Sequence, residues 1–249
     1  MTTTRVGDEA QVETERPNVP DRDGPKTLRA AVSERAAELA RGYRDDDAGA
    51  IADLARLRKG AGKLPQDTPE LWGSTCDPAD YAQEPWSVGD DEERAERAVH
   101  VALTLFALHQ QSRREKAMHW EGVWISGKRR ERDLGWAVRE LMPHGKVDET
   151  LRHRLVHAGK ATSIDSLAER LRAIVQLLRR DAIPLDYGLL AQQLLTAQRP
   201  GGMSEVRRSW GRGFQYHRPA QDSGDAPDGP VGAHGNENEN ENDPAPDPA

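Results

Sequence analysis

The sequence predicts an all-α protein: a helical bundle of two small packed helical subdomains between disordered termini. Apolar side chains recur at helical spacing in most of the chain between its two ends, and the alternation typical of half-buried strands is absent. Ser, Thr or Asp precedes these stretches as an N-cap, and Gly or Pro follows them. The predicted divisions are a disordered N-terminal extension (1–26), an N-terminal helical subdomain (27–142), a C-terminal helical subdomain (143–218) and a disordered acidic tail (219–249).

Two capped helices open the N-terminal subdomain. Thr27 is placed to cap the first helix, which is predicted to end near Gly42. Asp47 is the last of three aspartates whose negative charge favours the start of a second helix, and Gly60 ends it. A short turn then follows, in which Trp72 is expected to be a core residue.

The most apolar stretch of the chain runs from Val99 to Leu108 and is preceded by acidic capping candidates. Because its apolar residues cover more than one side of a helix, it is predicted to be buried on most sides and to form the centre of this subdomain. Residues 112–132 are predicted to be irregular, and 134–142 to be a helix that ends at Pro143.

The C-terminal subdomain is predicted to begin with a helix over 148–158 that places Leu151, Leu155 and Val156 inward. Ser163 is the expected N-cap of the next helix.

Two further helices complete the predicted fold. Asp186 is the expected cap of the first, and the sequence Pro-Gly-Gly after Arg199 stops it. Ser204 is expected to cap the last helix. There Val206, Trp210 and Phe214 follow one another at intervals of four and form one buried stripe.

The net charge of −7 is distributed unevenly. Residues 219–249 carry eight acidic and no basic side chains, and residues 1–26 carry six acidic and four basic ones. The part between them therefore has a small positive balance of +3. An acidic chain thus contains a mildly basic body, which makes nucleic acid a plausible partner.

Enzymatic signatures are missing from the sequence. It has no phosphate-binding glycine loop, nucleophile elbow or zinc-protease motif. Cys76 is the single cysteine, and no base is near it in sequence. His153 and His157 lie four residues apart but lack a third ligand and are expected to be surface residues. We therefore expect no catalysis, no metal and no cofactor. The chain shows no signal peptide or membrane span, which predicts a soluble cytoplasmic protein.

Basic residues concentrate in three places. The first basic cluster is Arg56, Arg58, Lys59 and Lys63. The second basic cluster is Arg113, Arg114, Lys116, Lys128, Arg129, Arg130 and Arg132. The third basic cluster is Arg199, Arg207, Arg208, Arg212 and Arg218, of which Arg207, Arg208 and Arg212 are assigned to binding. Such runs are also typical of solvated faces, but the excess of Arg over Lys favours phosphate contact.

The aromatic residues divide into two groups. Those at helical positions are predicted to be core residues: Trp72, Phe106, Trp136, Trp210 and Phe214. Trp120 and Trp124 lie in the basic irregular segment and are the candidates for stacking on nucleobases.

Several short motifs resemble one known family, the small subunit (CasB type) of the type I-E CRISPR surveillance complex, Cascade. The matching residues are Leu185-Asp186-Tyr187, Leu189-Leu190-Ala191, Leu194-Leu195, Gln198, Pro200, Val206-Arg207 and Trp210 to Phe214. Weaker matches are Leu71-Trp72, Phe106 to Gln110, Leu134-Gly135 and Ala52 to Arg58. The chain departs from the family pattern at Gln193, where an acidic residue is usual, at Ala197 (an aromatic) and at Gly213 (an Asp).

The resemblance implies a non-catalytic subunit of an RNA-guided antiviral complex. Guide RNA would read the target by base pairing, while two copies of the small subunit, next to other Cascade subunits, would hold the target and displaced DNA strands of the R-loop by their backbones. The three basic clusters would carry those contacts. The alternative is a protein-interaction scaffold subunit that has no direct nucleic-acid contact.

Overall fold

The computed structural model describes residues 26–81, 90–125 and 128–215. The predicted all-α class is confirmed. The described helices are α1 (Leu28–Arg44), α2 (Ala48–Lys59), α3 (Asp90–Gln110), α4 (Leu134–Glu140), α5 (Glu149–Gly159), α6 (Ile164–Arg180), α7 (Tyr187–Ala197) and α8 (Gly202–Gln215), with short 3₁₀ turns at Pro65–Asp67, Pro69–Leu71 and Pro78–Asp80. Of the segments predicted to be disordered, 1–26 and 219–249, all but Lys26 lie outside the described residues; Lys26 donates its backbone N–H to the carbonyl of Asp80.

Most of the predicted helix starts are confirmed at the level of single hydrogen bonds. The side chains of Thr27, Asp47 and Asp186 each accept a hydrogen bond from a backbone N–H in the first turn of the helix that follows. Ser163 forms a capping box with Ser166 at the start of α6. The prediction for the last helix was wrong, because α8 begins at Gly202 and not at Ser204.

The buried apolar residues form one cluster that extends from Leu28 in α1 to Trp210 in α8. α3 is buried along its apolar stretch, as predicted: every residue from Val99 to Leu108 is buried. α7 is also buried on nearly all sides and packs against both α1 and α3. The two predicted subdomains therefore share one core, and the boundary between them stays a prediction.

Two apolar residues were predicted to be buried and are not. Trp72 is 78% exposed because it follows the 3₁₀ turn Pro69–Leu71, whose inward position is taken by Leu71. Val156 is 45% exposed because α5 turns Leu155 and Ala158 toward the core instead.

The segment predicted to be irregular contains a small antiparallel hairpin. Strand β1 (Val123–Ile125) pairs with strand β2 (Lys128–Arg130), and Val123 lies opposite Arg130. This register brings the residues before β1 beside those after β2. The hairpin is anchored to the start of α7, because Trp120 donates its backbone N–H to the carbonyl of Leu185 and Asp186 donates its own to the carbonyl of Arg132.

None of the helices in the described part of the chain is long and apolar enough to cross a membrane.

Candidate nucleic-acid interface

A chain of hydrogen bonds connects α7, α8 and the start of α4. Trp210 donates its indole N–H to Oε1 of Gln193 at 2.8 Å, and Nε2 of Gln193 donates to Oγ of Ser209 at 3.2 Å. The Ser209 hydroxyl donates in turn to Oδ2 of Asp133 at 3.1 Å. The carboxylate of Asp133 also caps α4 by accepting from the backbone N–H of Trp136. These hydrogen bonds fix α8 against the segment that follows the hairpin.

The helices approach so closely at this place that an added Cβ atom would collide at two glycine positions. A Cβ atom at position 213 would collide with the carboxylate of Asp133, and one at position 135 would collide with the carbonyl of Trp210. Burial raises the pKa of Asp133 to about 6, although its hydrogen bonds act in the opposite direction. Asp133 is therefore a buried structural acid and not a surface carboxylate that could neutralise the basic residues around it.

Arg132 lies directly beside this junction and is held by aromatic rings. Its guanidinium carbon is 3.8 Å from the ring centroid of Trp120 and 5.1 Å from that of Trp136. Within the described ranges the guanidinium forms no hydrogen bond or ion pair. Partial burial lowers its pKa from the ordinary value, against the opposing charge of Glu140. Arginine remains charged in proteins, so the stack holds a cation whose N–H groups are unused.

α8 presents two further cations that form no ion pair within the described residues. Arg208 and Arg212 are exposed, lie four residues apart on the helix, and have no hydrogen-bond or ion-pair partner among the described residues. They each precede a residue that contacts Asp133, namely Ser209 and Gly213. We call Arg132, Arg208 and Arg212 the arginine surface. Arg132 and the helix that carries Arg208 and Arg212 are therefore joined through Asp133.

Other members of the second basic cluster are occupied within the fold. Arg113 donates to the carbonyls of Arg179 and Arg180 at the end of α6, and Lys116 donates to the carbonyl of Ala182. Arg114 is paired with Asp46 and lies over the ring of Tyr43. Arg130 is exposed. The side chains of Trp124, Lys128 and Arg129 lie outside the described residues, so their predicted roles stay predictions.

The remaining assigned member of the third basic cluster connects two helices. Arg207 donates to the carbonyl of Gly159 at the end of α5 and to the hydroxyl of Ser204. Its charge complements the partial negative charge at the C-terminus of α5. Arg207 therefore has a structural contact in addition to its predicted contact with phosphate.

The first basic cluster lies at the end of α2. Arg56 is paired with Asp53 at 2.9 Å, whereas the charged groups of Arg58, Lys59 and Lys63 have no hydrogen-bond or ion-pair partner in the described part of the chain. The adjoining Gly62 lies next to the side chain of Arg172 in α6. The contacts at Asp133 do not include this cluster, so it is a separate basic patch.

One ionic network was not predicted from the sequence. Arg29 donates to Asp186 at 2.7 Å and to Glu131 at 2.8 Å, and so connects the start of α1, the cap of α7 and the end of the hairpin. These partners are 157 and 102 residues away from Arg29, and no local pattern marks them as a pair. The network supports the same segment that carries Arg132.

The described residues contain no group of three or more His, Cys, Asp or Glu side chains arranged to hold a metal ion. His153 and His157 are exposed on α5, as predicted. Burial raises the pKa of Cys76 to about 12, which keeps its thiol protonated.

Two buried histidines form hydrogen bonds with Tyr187 in the core. His109 contacts the Tyr187 hydroxyl through Nδ1 at 2.9 Å, and Nδ1 of His119 accepts the backbone N–H of Tyr187. Burial lowers the pKa of both imidazoles, to about 3 for His109. They are therefore neutral core residues at ordinary pH.

A pocket of about 760 Å³ lies between α1, α3 and the 3₁₀ turns. The guanidinium of Arg35 on its wall is paired with Glu38 and Asp53. More acidic than basic side chains line this pocket, so it is not a cationic site, unlike the arginine surface.

The fold and the arginine surface define a small helical protein with three arginines that form no ion pair within the described residues. The family model of the CRISPR-associated protein Cse2 matches residues 53–215. The crystal structure of CasB from Thermobifida fusca is similar to this chain with 50% sequence identity and a TM-score of 0.66, over 75% of this chain and 97% of that one. The chain belongs to the Cse2 family, and the resemblance to the CasB-type subunit is confirmed.

A second solved structure, described as a CRISPR RNA-guided surveillance complex, contains a chain that is 19% identical to this one over 74% of this chain and 95% of that one, with a TM-score of 0.48. This likeness is too low to support an argument about function. No curated protein matches the chain.

Proposed function

We propose that this protein is a non-catalytic, nucleic-acid-binding subunit of an RNA-guided antiviral surveillance complex of the Cascade type. In this role it holds the target and displaced DNA strands of the R-loop by their backbones, and two copies act side by side in one complex. Membership of the Cse2 family supports the assignment to a CRISPR complex. The observation that carries the binding role is the arginine surface, in which Arg132, Arg208 and Arg212 lie without a described carboxylate partner.

The chemistry of this surface favours phosphate over base edges. Guanidinium groups match phosphate oxygens with paired N–H donors, and an exposed helix face offers no recess that could test the shape of a base. The formation of an R-loop is nearly balanced in free energy, so a small number of backbone contacts is enough to stabilise the opened state. Sequence readout is left to the guide RNA.

The carboxylate of Asp133, next to Arg132 in the chain, does not compete with a bound strand. Asp133 is buried, and its oxygens accept hydrogen bonds from Ser209 and from the backbone of Trp136. Burial raises its pKa to about 6, so part of its negative charge is removed under mildly acidic conditions. Among the described residues Asp133 forms no ion pair with Arg132, Arg208 or Arg212.

The second candidate is a protein-interaction scaffold subunit with no direct nucleic-acid contact. Trp72, which is 78% exposed beside a pocket, favours this alternative because a large exposed aromatic side chain is typical of a protein interface. In addition, Arg113, Arg114 and Lys116 are occupied by contacts within the chain. Removing positive charge distinguishes the two candidates. It should weaken target opening if the subunit binds nucleic acid, and it should leave opening per assembled complex unchanged if the subunit is a scaffold.

The test is co-purification with a complex that contains guide RNA, followed by measurement of target opening. The variant Arg208→Glu with Arg212→Glu should still assemble but should open the target duplex less stably. A matched control is Arg152→Glu with Lys146→Glu, which changes the net charge equally at exposed residues outside the arginine surface. The opposite result is that the variant assembles less well, while each complex that does assemble opens the target duplex as the wild type does. That result would favour the scaffold and contradict the proposal.

A further inference from the structure

Arg132 and Trp120 form a stack with unused binding capacity on both components. The guanidinium carbon lies 3.8 Å above the indole centroid, close enough for cation–π contact, and Trp136 lies behind it at 5.1 Å. In the described ranges no acceptor is bound to the N–H groups of Arg132. Stacking leaves the edge of a guanidinium, where its donors point, available for an anion.

The indole itself is also available. Trp120 is 51% exposed although Arg132 covers one face of the ring. The charge of Glu140 acts on Arg132, but the guanidinium forms no ion pair within the described ranges, so its N–H donors stay open beside the exposed indole. The pair is therefore suited to a ligand that offers a flat ring and a negative charge at short separation.

The backbone on both sides of the stack is fixed before any ligand arrives. Trp120 donates its N–H to the carbonyl of Leu185 at 3.2 Å, and the carbonyl of Arg132 accepts from Asp186 at 3.0 Å. Arg29 forms ion pairs with both Asp186 and Glu131, and Glu131 directly precedes Arg132 in the sequence. A site that is already ordered loses little conformational entropy on binding.

We propose that Trp120 and Arg132 form a subsite for one unpaired nucleotide of single-stranded DNA. The base stacks on the exposed surface of the Trp120 indole, and an adjacent phosphate accepts hydrogen bonds from the guanidinium of Arg132. This inference rests on the proposed function, and it adds base stacking to the backbone contacts. Stacking is tolerant of sequence because every base has a flat face, so the subsite holds a base without reading it.

The other two members of the arginine surface, Arg208 and Arg212, support this choice of ligand. Arg132 directly precedes Asp133, whose carboxylate contacts Ser209 and the backbone position of Gly213 in α8. A strand with one base on Trp120 would have further phosphates outside the stack, and we expect Arg208 and Arg212, exposed on the helix joined to this segment, to contact them. A free nucleotide would use only the stack, whereas a strand uses both.

The test measures binding of full-length protein to two labelled oligonucleotides of equal length by fluorescence anisotropy. One is oligo(dT), and the other has the same phosphates but lacks its bases. The variants are Trp120→Ala, Trp120→Phe, and Trp72→Ala as the control, since Trp72 is a more exposed tryptophan that carries no described stacked cation. Melting temperatures confirm that each variant is folded.

The wild type should bind oligo(dT) at least about fivefold more tightly than the abasic strand. Trp120→Ala should lose this advantage and bind both strands alike, Trp120→Phe should keep most of it, and Trp72→Ala should behave as the wild type. If wild type and Trp120→Ala bind both strands equally but with a steep salt dependence, the stacking subsite is wrong and the backbone role stands. If neither strand binds at low salt, the proposed function fails and the subsite fails with it.

Discussion

The indole N–H of Trp210 and Oε1 of Gln193 are 2.8 Å apart, and this contact locks α8 to α7. Trp210 is only 2% exposed, so its N–H depends on this single acceptor inside the protein. The same amide donates to Ser209, which an acidic side chain at position 193 could not do. Glutamine at position 193 departs from the family pattern, but its amide group can both accept from Trp210 and donate to Ser209.

Replacing Gln193 by Leu should destabilise the protein by about 1–3 kcal/mol, because the buried N–H of Trp210 would lose its partner. Urea unfolding measures this directly. Gln192→Leu is the matched control, since Gln192 is exposed on the same helix, and its effect should stay within about 0.5 kcal/mol. Equal stability of both variants would show that the contact does not hold α8.

Truncating Trp210 to Ala should cost about 3–5 kcal/mol of unfolding free energy, because the side chain is fully buried in the common core. Thermal and urea unfolding would report the loss. A variant that keeps its melting temperature but no longer binds DNA would identify Trp210 as a binding residue instead.

The buried carboxyl of Asp133 should make stability depend on pH. Its pKa is about 6 in the folded protein and 3.8 ordinarily, so between these values the folded state binds a proton that the unfolded chain releases. The resulting stabilisation is present at the acidic end of this window and is lost as pH rises through about 6, a change of about 3 kcal/mol.

Asp133→Asn removes this titration while keeping a side chain that can cap α4. The stability of the variant relative to the wild type should therefore rise between pH 4 and pH 7. Urea unfolding at several pH values gives the comparison. Parallel pH profiles would contradict the assignment of a raised pKa to Asp133.

The basic clusters should act on all DNA sequences alike. Arg207→Glu, Arg208→Glu and Arg212→Glu together should weaken binding of single-stranded DNA to a similar extent for every sequence, and so should Arg56→Glu, Arg58→Glu and Lys59→Glu together. His153→Ala with His157→Ala should leave binding unchanged. A loss confined to one sequence would indicate base readout and not a backbone contact.

Removing residues 219–249 should tighten weak DNA binding, because eight acidic side chains leave with them. It should leave helix content and melting temperature nearly unchanged, since the common core lies within Leu28 to Trp210. Anisotropy, circular dichroism and thermal unfolding test both parts. Weaker binding after removal would assign the tail a contact of its own.

Local patterns in the sequence were sufficient to predict much of the fold. N-caps such as Ser163 and Asp186, and the stripe of Val206 and Trp210, depend on neighbours within one helix. Trp72 was wrongly placed in the core because periodicity cannot say which side of a short turn faces inward.

The arginine surface could be predicted only in part. Composition indicated three basic clusters, but not that Arg113 and Lys116 would bind carbonyls at the end of α6. The junction of Asp133 with Ser209 and the ionic network of Arg29 join residues distant in sequence, so only the folded chain reveals them.

The most direct test of the backbone-binding account is the salt dependence of affinity for single-stranded DNA. Each phosphate contact releases condensed counterions, so the logarithm of the binding constant should fall linearly with the logarithm of salt concentration, with a slope of about −0.7 per contact. We predict a steep slope for the wild type and a shallower one for Arg208→Glu with Arg212→Glu. An affinity that does not change with salt would contradict the account.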